Sequence, residues 1–311
     1  MTRKKRYTVA CLTGDGIGPE LMAEASRALA RVGRMHGFGL DEVHVPFGGD
    51  AVRRSGHPLP AATRAACRRA DAVLVMSTKE PALEGVKAEL DLTWRITRVR
   101  LADGRLNVVS PLADDARALA AQRAVALACS RRARLTSVGS PAWHAVVEEA
   151  AERCPGLAVE RRAFEQVVGD VLGEPARFDV LASEEAFAEA LSGTAAYAQG
   201  SERMVASGRL SSGGPGIFGP THGSAPDIAG QGVANPAGAL LAAALMLGEG
   251  LGERSAARTL EEAVAATLGT GVRTPDLVPS GRGATTGEFM DALLAGLPSA
   301  RLDTEFAGVA A

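Results

Sequence analysis

The sequence predicts an α/β protein built on a largely parallel sheet. Three observations predict it. Short β-rich apolar runs alternate with helix-length amphipathic stretches. The first of these runs ends in a glycine turn. A segment rich in Gly and Pro, residues 213–236, passes directly into an apolar helix. Apolar residues make up 46% of the 311 and charged residues 23%, enough to bury one large core or two smaller ones. Aromatics are only 4%, so Ala, Leu and Val must fill that core.

In chain order, strands are expected at 7–12, 71–76, 105–110, 134–138, 157–164 and 178–183. Helical periodicity falls between them at 18–35, 60–69, 112–129, 141–153 and 184–196. Further helices are expected at 235–250, 255–268 and 287–296. Residues 9–20, VACLTGDGIGPE, give an apolar strand, a glycine turn and a helix start with Pro19 in its first turn. The turn is GxGxG, not the GxGxxG of a dinucleotide fingerprint.

Composition excludes several classes of function. A net charge of −2, with no basic block beyond Arg3–Arg6, argues against a nucleic-acid partner. No apolar run is long enough for a membrane span, and no signal-type run follows the basic start. A cytoplasmic protein is expected. Cys11, Cys67, Cys129 and Cys154 have neither metal nor disulfide spacing and are expected to be buried thiols.

Residues 213–236, GGPGIFGPTHGSAPDIAGQGVANP, are the most informative stretch. A linker would be polar and repetitive; this segment is neither. Its Gly and Pro fix one backbone path, and N–H groups near a helix start suit an anionic ligand. The segment closely resembles the adenine-nucleotide loop of the isocitrate and isopropylmalate dehydrogenase family. The strand and turn at 9–20, Gly48-Gly49, Gly56, PLP at 58–60, GVRTPDL at 271–277 and GEFMDALLAGL at 287–297 follow the same family's order. That resemblance implies an isopropylmalate dehydrogenase-like two-domain fold. Residues 1–98 with 200–311 would form a discontinuous nucleotide-binding domain, and 99–199 an inserted dimerisation domain. It also implies an NAD- or NADP-dependent oxidation of a 2-hydroxy acid with loss of CO2, a divalent metal such as Mg2+, and a homodimer.

The nucleotide end of the resemblance is nearly complete. His222, Gly223, Ser224, Ala225, Asp227, Ile228 and Asn235 all match the motif. Asp227-Ile228 stands where NADP users of the family carry Lys-Tyr, so NAD is the expected cofactor. Gly219 replaces an acidic residue before Pro220, and Ser77-Thr78-Lys79-Glu80 replaces a glycine-rich run near the nicotinamide end. The segment also reads as a folding element that supports the helix after it.

The catalytic end departs from the pattern. The family's lysine position falls at Ser140 in LTSVGSPAWH, and the chain's only lysines are Lys4, Lys5, Lys79 and Lys87. The family's tyrosine lies on an arm, which here is deleted: RLNVVS ends at Ser110 and a helical stretch follows. The metal positions become Glu165, Glu189 and Gly193. Glu165 and Glu189 offer oxygen ligands for Mg2+; Glu184, Glu185 and Glu189 equally read as the solvated side of a helix. The arginine positions become Lys87, Thr97 (or Arg98 with one inserted residue) and Ser110. Lys87, Arg95 and Arg98 are therefore candidates for holding a small anion, and 94–100 also reads as an exposed basic strand edge. His144, about one turn beyond Ser140, is the candidate replacement proton carrier, with Glu165 beside it in that role; beside Trp143 it also reads as a packing residue.

Three functions follow from these readings. One is a repurposed member that keeps the NAD loop without oxidative decarboxylation, as a non-redox isomerase or lyase or an altered dehydrogenase. A second is an active NAD-dependent decarboxylating dehydrogenase with an unusual substrate. A third is a non-catalytic subunit that pairs with a catalytic paralogue.

Overall fold

A computed structural model describes residues 5–77, 81–101, 104–198, 200, 202–279 and 282–298. Ten strands form one continuous sheet in the order β2-β1-β3-β10-β9-β4-β5-β8-β6-β7. They are β1 (Lys5–Leu12), β2 (Phe38–Val45), β3 (Ala72–Val75), β4 (Trp94–Leu101), β5 (Gly104–Pro111), β6 (Arg134–Val138), β7 (Ala158–Arg162), β8 (Val180–Ser183), β9 (Val205–Leu210) and β10 (Gly216–Pro220). Both ends of the sheet are parallel. The junctions β10–β9, β9–β4 and β4–β5 in the middle are antiparallel.

Helices cover both faces. One face carries α1 (Gly18–His36), α5 (Arg117–Cys129), α6 (Pro141–Ala151), α9 (Ala237–Leu245), α10 (Arg254–Gly269) and α11 (Thr286–Gly296) in one apolar cluster. The other face is covered in two patches. A cluster with α3 (Ala61–Arg69) and α4 (Leu83–Glu89) lies under β1, β3 and β10, and α2 (Gly48–Ser55) lies nearby; a cluster with α7 (Phe164–Gly173) and α8 (Glu185–Ala198) lies under β4, β5 and β8. Helix α1 shows why these stretches are helical. Pro19 opens it, Leu21, Met22, Ala25, Ala28, Leu29 and Val32 form its buried stripe, and Gly37 closes it at φ 79°. All nine residues of α9 are buried, so α9 is a core helix, and it continues into a π-helical turn, Met246–Gly250.

The expected helices are present, within a few residues at their ends, and the arm is absent: β5 ends at Pro111 and α5 begins at Arg117 after a short 3-10 turn. Strands β2, β9 and β10 and helices α2, α4 and α7 were not expected. Two readings are corrected. Cys129 and Cys154 are joined in a disulfide that ties the end of α5 to the turn after α6; only Cys11 and Cys67 are buried free thiols. Burial pushes those two thiols up to about 12 and about 11. The 94–100 stretch is no edge: β4 lies between β5 and β9, and Arg95 and Arg98 are buried.

Arg98 is the most heavily bonded side chain of β4. Its Nε donates to Asn107 Oδ1 of β5 (2.8 Å), and its terminal nitrogens reach Glu261 of α10 (2.8 Å) and Glu249 of the π turn (3.1 Å). Burial lowers its pKa, and the Glu249 carboxylate opposes that shift. A buried guanidinium is held only when its donors are met, and removing one partner strands the others. Replacing Arg98 by Ala is expected to cost about 3–5 kcal/mol, read as a lowered urea midpoint with an unchanged slope.

Candidate functional site

Two of the glycine segments meet. The turn after β1 places Ile17 N–H against the Ser224 carbonyl (2.9 Å). Gly16 sits at φ 61°, and a Cβ there would lie 1.8 Å from the same carbonyl oxygen. The turn and the 221–235 loop are thus one interlocked unit. They border a cavity of about 900 Å³. Ile17, Ile228 and Val233 give it apolar walls; His222, Asn235 and Asp276 give it polar ones.

The polar walls are pre-set by bonds within the loop. His222 donates from Nδ1 to the Gly223 carbonyl (2.9 Å). Asn235 accepts from Ala237 N–H (2.9 Å) and donates to Asp276 (3.0 Å). Asp276 in turn accepts from Thr274 (2.6 Å). Gly223 and Ala225 also line the cavity, whereas Ser224 and Asp227 lie outside its lining. Ser224 serves the interlock, and exposed Asp227 accepts from the Gln231 side chain through its carbonyl (2.8 Å). Tyr197, at the end of α8 and 74% exposed, completes one wall. Thr78, Lys79 and Glu80, expected near the nicotinamide end, lie outside the described residues, while Ser77 is buried and donates to the His222 carbonyl (3.5 Å).

On the sheet face between α4 and α8, the strand register gathers a polar cluster. Arg95 of β4 is paired with Ser110 of β5 on one side and Arg209 of β9 on the other. Directly paired residues project to the same face. Arg95 Nε and Ser110 Oγ are buried and have no partner among the described residues. Arg209 is pushed below the usual arginine range by burial and then by Arg95; Glu84 of α4 and Glu189 and Glu185 of α8 oppose the shift. Arg209 was not anticipated, because the run VASGRL carries no periodicity and cross-strand pairing is non-local. Lys87 forms an ion pair with Glu84. Arg98 lies one residue out of phase with Arg95, so it faces the opposite side of the sheet and is committed to Glu249 and Glu261. The three expected anion ligands are therefore not gathered.

At the lysine position, Ser140 is the N-cap of α6 and accepts from Trp143 N–H (3.3 Å). Its own N–H and hydroxyl both donate to Glu184 (3.0 and 2.8 Å). His144 Nδ1 is bonded to Ser137 Oγ (2.8 Å). Burial, then the Arg161 cation, lowers the His144 pKa against the pull of Glu148 and Glu184. Tyr7 hydroxyl donates to the Leu251 carbonyl (3.0 Å), far in sequence from any of these groups.

The metal expectation does not fit. Glu165 and Glu189 are both exposed, on different helices, and Gly193 offers no ligand. Among the described residues, the only group of three His, Cys, Asp or Glu ligands close enough to share an ion is Cys11, Glu42 and His44, on β1 and β2. Glu189, after Glu84, only opposes the lowering of the Arg209 pKa.

Residues 8–97 and 105–293 match the family model described as isocitrate/isopropylmalate dehydrogenase. The chain belongs to that family. A 3-isopropylmalate dehydrogenase of Synechococcus sp. (strain CC9902) is 34% identical over 339 aligned positions, covering 89% of this chain and 95% of that protein. Its counterpart in Streptococcus thermophilus (strain CNRZ 1066) is 32% identical, covering 96% of this chain and 100% of that protein. A solved β-decarboxylating dehydrogenase of Thermococcus kodakarensis, in its apo form, superposes with a TM-score of 0.79 at 26% identity, covering 93% of this chain and 95% of that one. The isocitrate/isopropylmalate dehydrogenase fold thus accounts for the layers and for the 213–236 loop.

Two outcomes test this geometry. Gly16→Ala should displace the Ser224 carbonyl and destabilise the protein by more than about 1 kcal/mol, because φ is positive and the space is filled; urea unfolding reads it. The His144 C2–H resonance should titrate with a midpoint below 6.5. A depressed folded pKa means the unfolded state binds the extra proton more readily, so this group's contribution is full above the unfolded value and lost as pH falls from there through the folded value.

Proposed function

We propose that this family member keeps an NAD-type nucleotide cavity and holds a small carboxylate-bearing anion against Arg95, Arg209 and Ser110, without ordinary oxidative decarboxylation. The single observation that carries the reading is Ser140. At the position where the resemblance calls for a lysine, a serine caps a helix and is bonded to Glu184 through both of its donors. With both donors committed to Glu184, Ser140 does not take over the lysine's proton transfer.

The nucleotide half rests on the donor set. An apolar slot between Ile17, Ile228 and Val233, with polar groups fixed by the loop itself, suits the adenosine end of a dinucleotide. Asp227-Ile228 stands where NADP users of the resembled family carry Lys-Tyr, so NAD is favoured over NADP. When bound, NAD supplies a hydride acceptor; the protein's own residues orient it. The anion half rests on the buried, unpartnered Arg95 Nε and Ser110 Oγ, which match a planar carboxylate. Among the described residues, no three His, Cys, Asp or Glu side chains on this face lie close enough to share an ion, which favours a non-redox reaction or a dehydrogenase chemistry different from that of the relatives.

The assembly is proposed as a homodimer through the 99–199 part of the chain. The interface is proposed at α6 and α8, the helices that the family resemblance puts across a two-fold axis; the outward residues Glu185, Glu189 and Tyr197 of α8 are exposed. Pairing with a catalytic paralogue would use the same face.

Purified protein with isopropylmalate or isocitrate, NAD and Mg2+ should form NADH at well under about one turnover per second. Turnover at or above that rate overturns the reading. In parallel, NAD should raise the melting temperature by linkage and NADP should not; equal stabilisation by both, or by neither, removes the nucleotide half.

A further inference from the structure

On the face of β4 opposite Arg95 lies a second cavity, of about 750 Å³, separate from the nucleotide cavity and from the α4–α8 face. Its floor is Trp94, Ile96 and Arg98 of β4 with Arg105 and Val109 of β5. One wall is α5 and the turn after it, with Arg123, Leu127, Arg131 and Arg132. The facing wall is the π turn and the start of α10, with Glu249, Arg254, Arg258 and Glu261. The Ser211–Gly216 turn closes one end.

The lining holds seven arginines against two glutamates, in a chain whose net charge is −2. The positive charge is thus concentrated here. Glu261 is shared by Arg98 and Arg105, Glu249 is taken by Arg98, and Arg131 is paired with Asp179. Arg123, Arg132, Arg254 and Arg258 have no ion pair among the described residues. Arg105 is pushed down to about 9 by burial and then by repulsion from Arg98 and Arg131. Like charges lining a concave, low-dielectric wall focus a field into it and are relieved by an anion.

A second, independent feature points to a ligand. Trp94 is 5% exposed, and its indole N–H is buried with no acceptor among the described residues. Its ring lines the cavity, with the Arg123 guanidinium 5.8 Å from the ring centre. A buried donor is ordinarily met. Ile96, Val109 and Leu127 add an apolar wall beside the cations, and the concave shape suits a small molecule rather than a nucleic-acid backbone.

We propose that this cavity binds a small organic polyanion, with three or more charges carried as carboxylate or phosphate groups, held by Arg105, Arg123, Arg254 and Arg258 with the Trp94 N–H donating to one of its oxygens. The site does not depend on the nucleotide or Ser140 readings.

The probes are citrate and pyrophosphate, which at mildly alkaline pH each carry about three negative charges, on carboxylate and phosphate groups respectively, with inorganic phosphate as the low-charge comparison. All are added at ionic strength matched with NaCl and read by calorimetry, melting temperature and tryptophan emission. Trp143 is fully buried and donates to the Ala182 carbonyl (3.0 Å), so a change in emission reports Trp94. One polyanion should bind roughly tenfold or more tightly than inorganic phosphate, and the stronger of the two identifies the charged group. The double variant Arg123→Ala/Arg258→Ala removes two exposed, unpaired side chains, so its fold is expected to be unchanged by circular dichroism; it should lose roughly tenfold or more in affinity. Trp94→Phe keeps the ring and removes the donor, and should weaken binding without abolishing it. Arg69→Ala, an exposed arginine of α3 that lines neither cavity, should bind as the wild type does. The proposal is overturned if neither polyanion exceeds the NaCl control, if the double variant binds like the wild type, or if Arg69→Ala loses binding.

Discussion

Arg98 joins parts of the chain that would otherwise share only backbone ladders. Its guanidinium reaches Asn107, Glu261 and Glu249, and Asn107 passes the connection to the Asp179 carbonyl (3.2 Å). One buried cation thereby fixes β4 and β5 against α10 and the π turn. A leucine there would pack without selecting a partner. A charge must find its own carboxylates, so the sheet centre and the α10 layer have one relative position. The walls of the second cavity and the backing of the Arg95 face both follow from it.

The antiparallel centre of the sheet matters for the same reason. In a wholly parallel sheet buried on both sides, β4 would be expected to read as continuous apolar residues. Here it alternates Trp94, Ile96, Arg98 on one face with Arg95, Thr97, Val99 on the other. Cations therefore stand on both faces of a central strand, and each face has its own counter-charges: Glu249 and Glu261 on one, Glu84, Glu185 and Glu189 around Arg209 on the other. The 221–235 loop is set apart from both and is locked by the close fit of Gly16 against the Ser224 carbonyl.

What the sequence disclosed follows the range of the physics involved. Helices α1, α5, α6, α8 and α10 were legible because a buried stripe repeats within each. The 213–236 segment was legible because Gly and Pro write backbone geometry directly into composition. Strand β2, FGLDEVHV, was missed because it is half exposed and reads as polar, and β4 was misjudged because its arginines look solvated until their carboxylates are placed. The partners that decide the site are distant: Ser140 meets Glu184 across 44 residues and Arg98 meets Glu261 across 163. Arg209 and the Cys129–Cys154 bridge belong to the same kind, set by which strands and helices become neighbours.

The two-faced character of β4 also limits how its sequence can drift. A strand with one apolar face tolerates small changes at its ends as long as the greasy residues point inward. In β4, a one-residue slip of register against β5 and β9 would turn Arg95 toward the α5–α10 side and Arg98 toward α8. Glu249 and Glu261 would then lose the Arg98 guanidinium, and Arg98 would stand on the face that already carries Arg209. Length changes should therefore be accepted in the outer loops of this protein and rejected within β4, where spacing itself is constrained even if side chains vary.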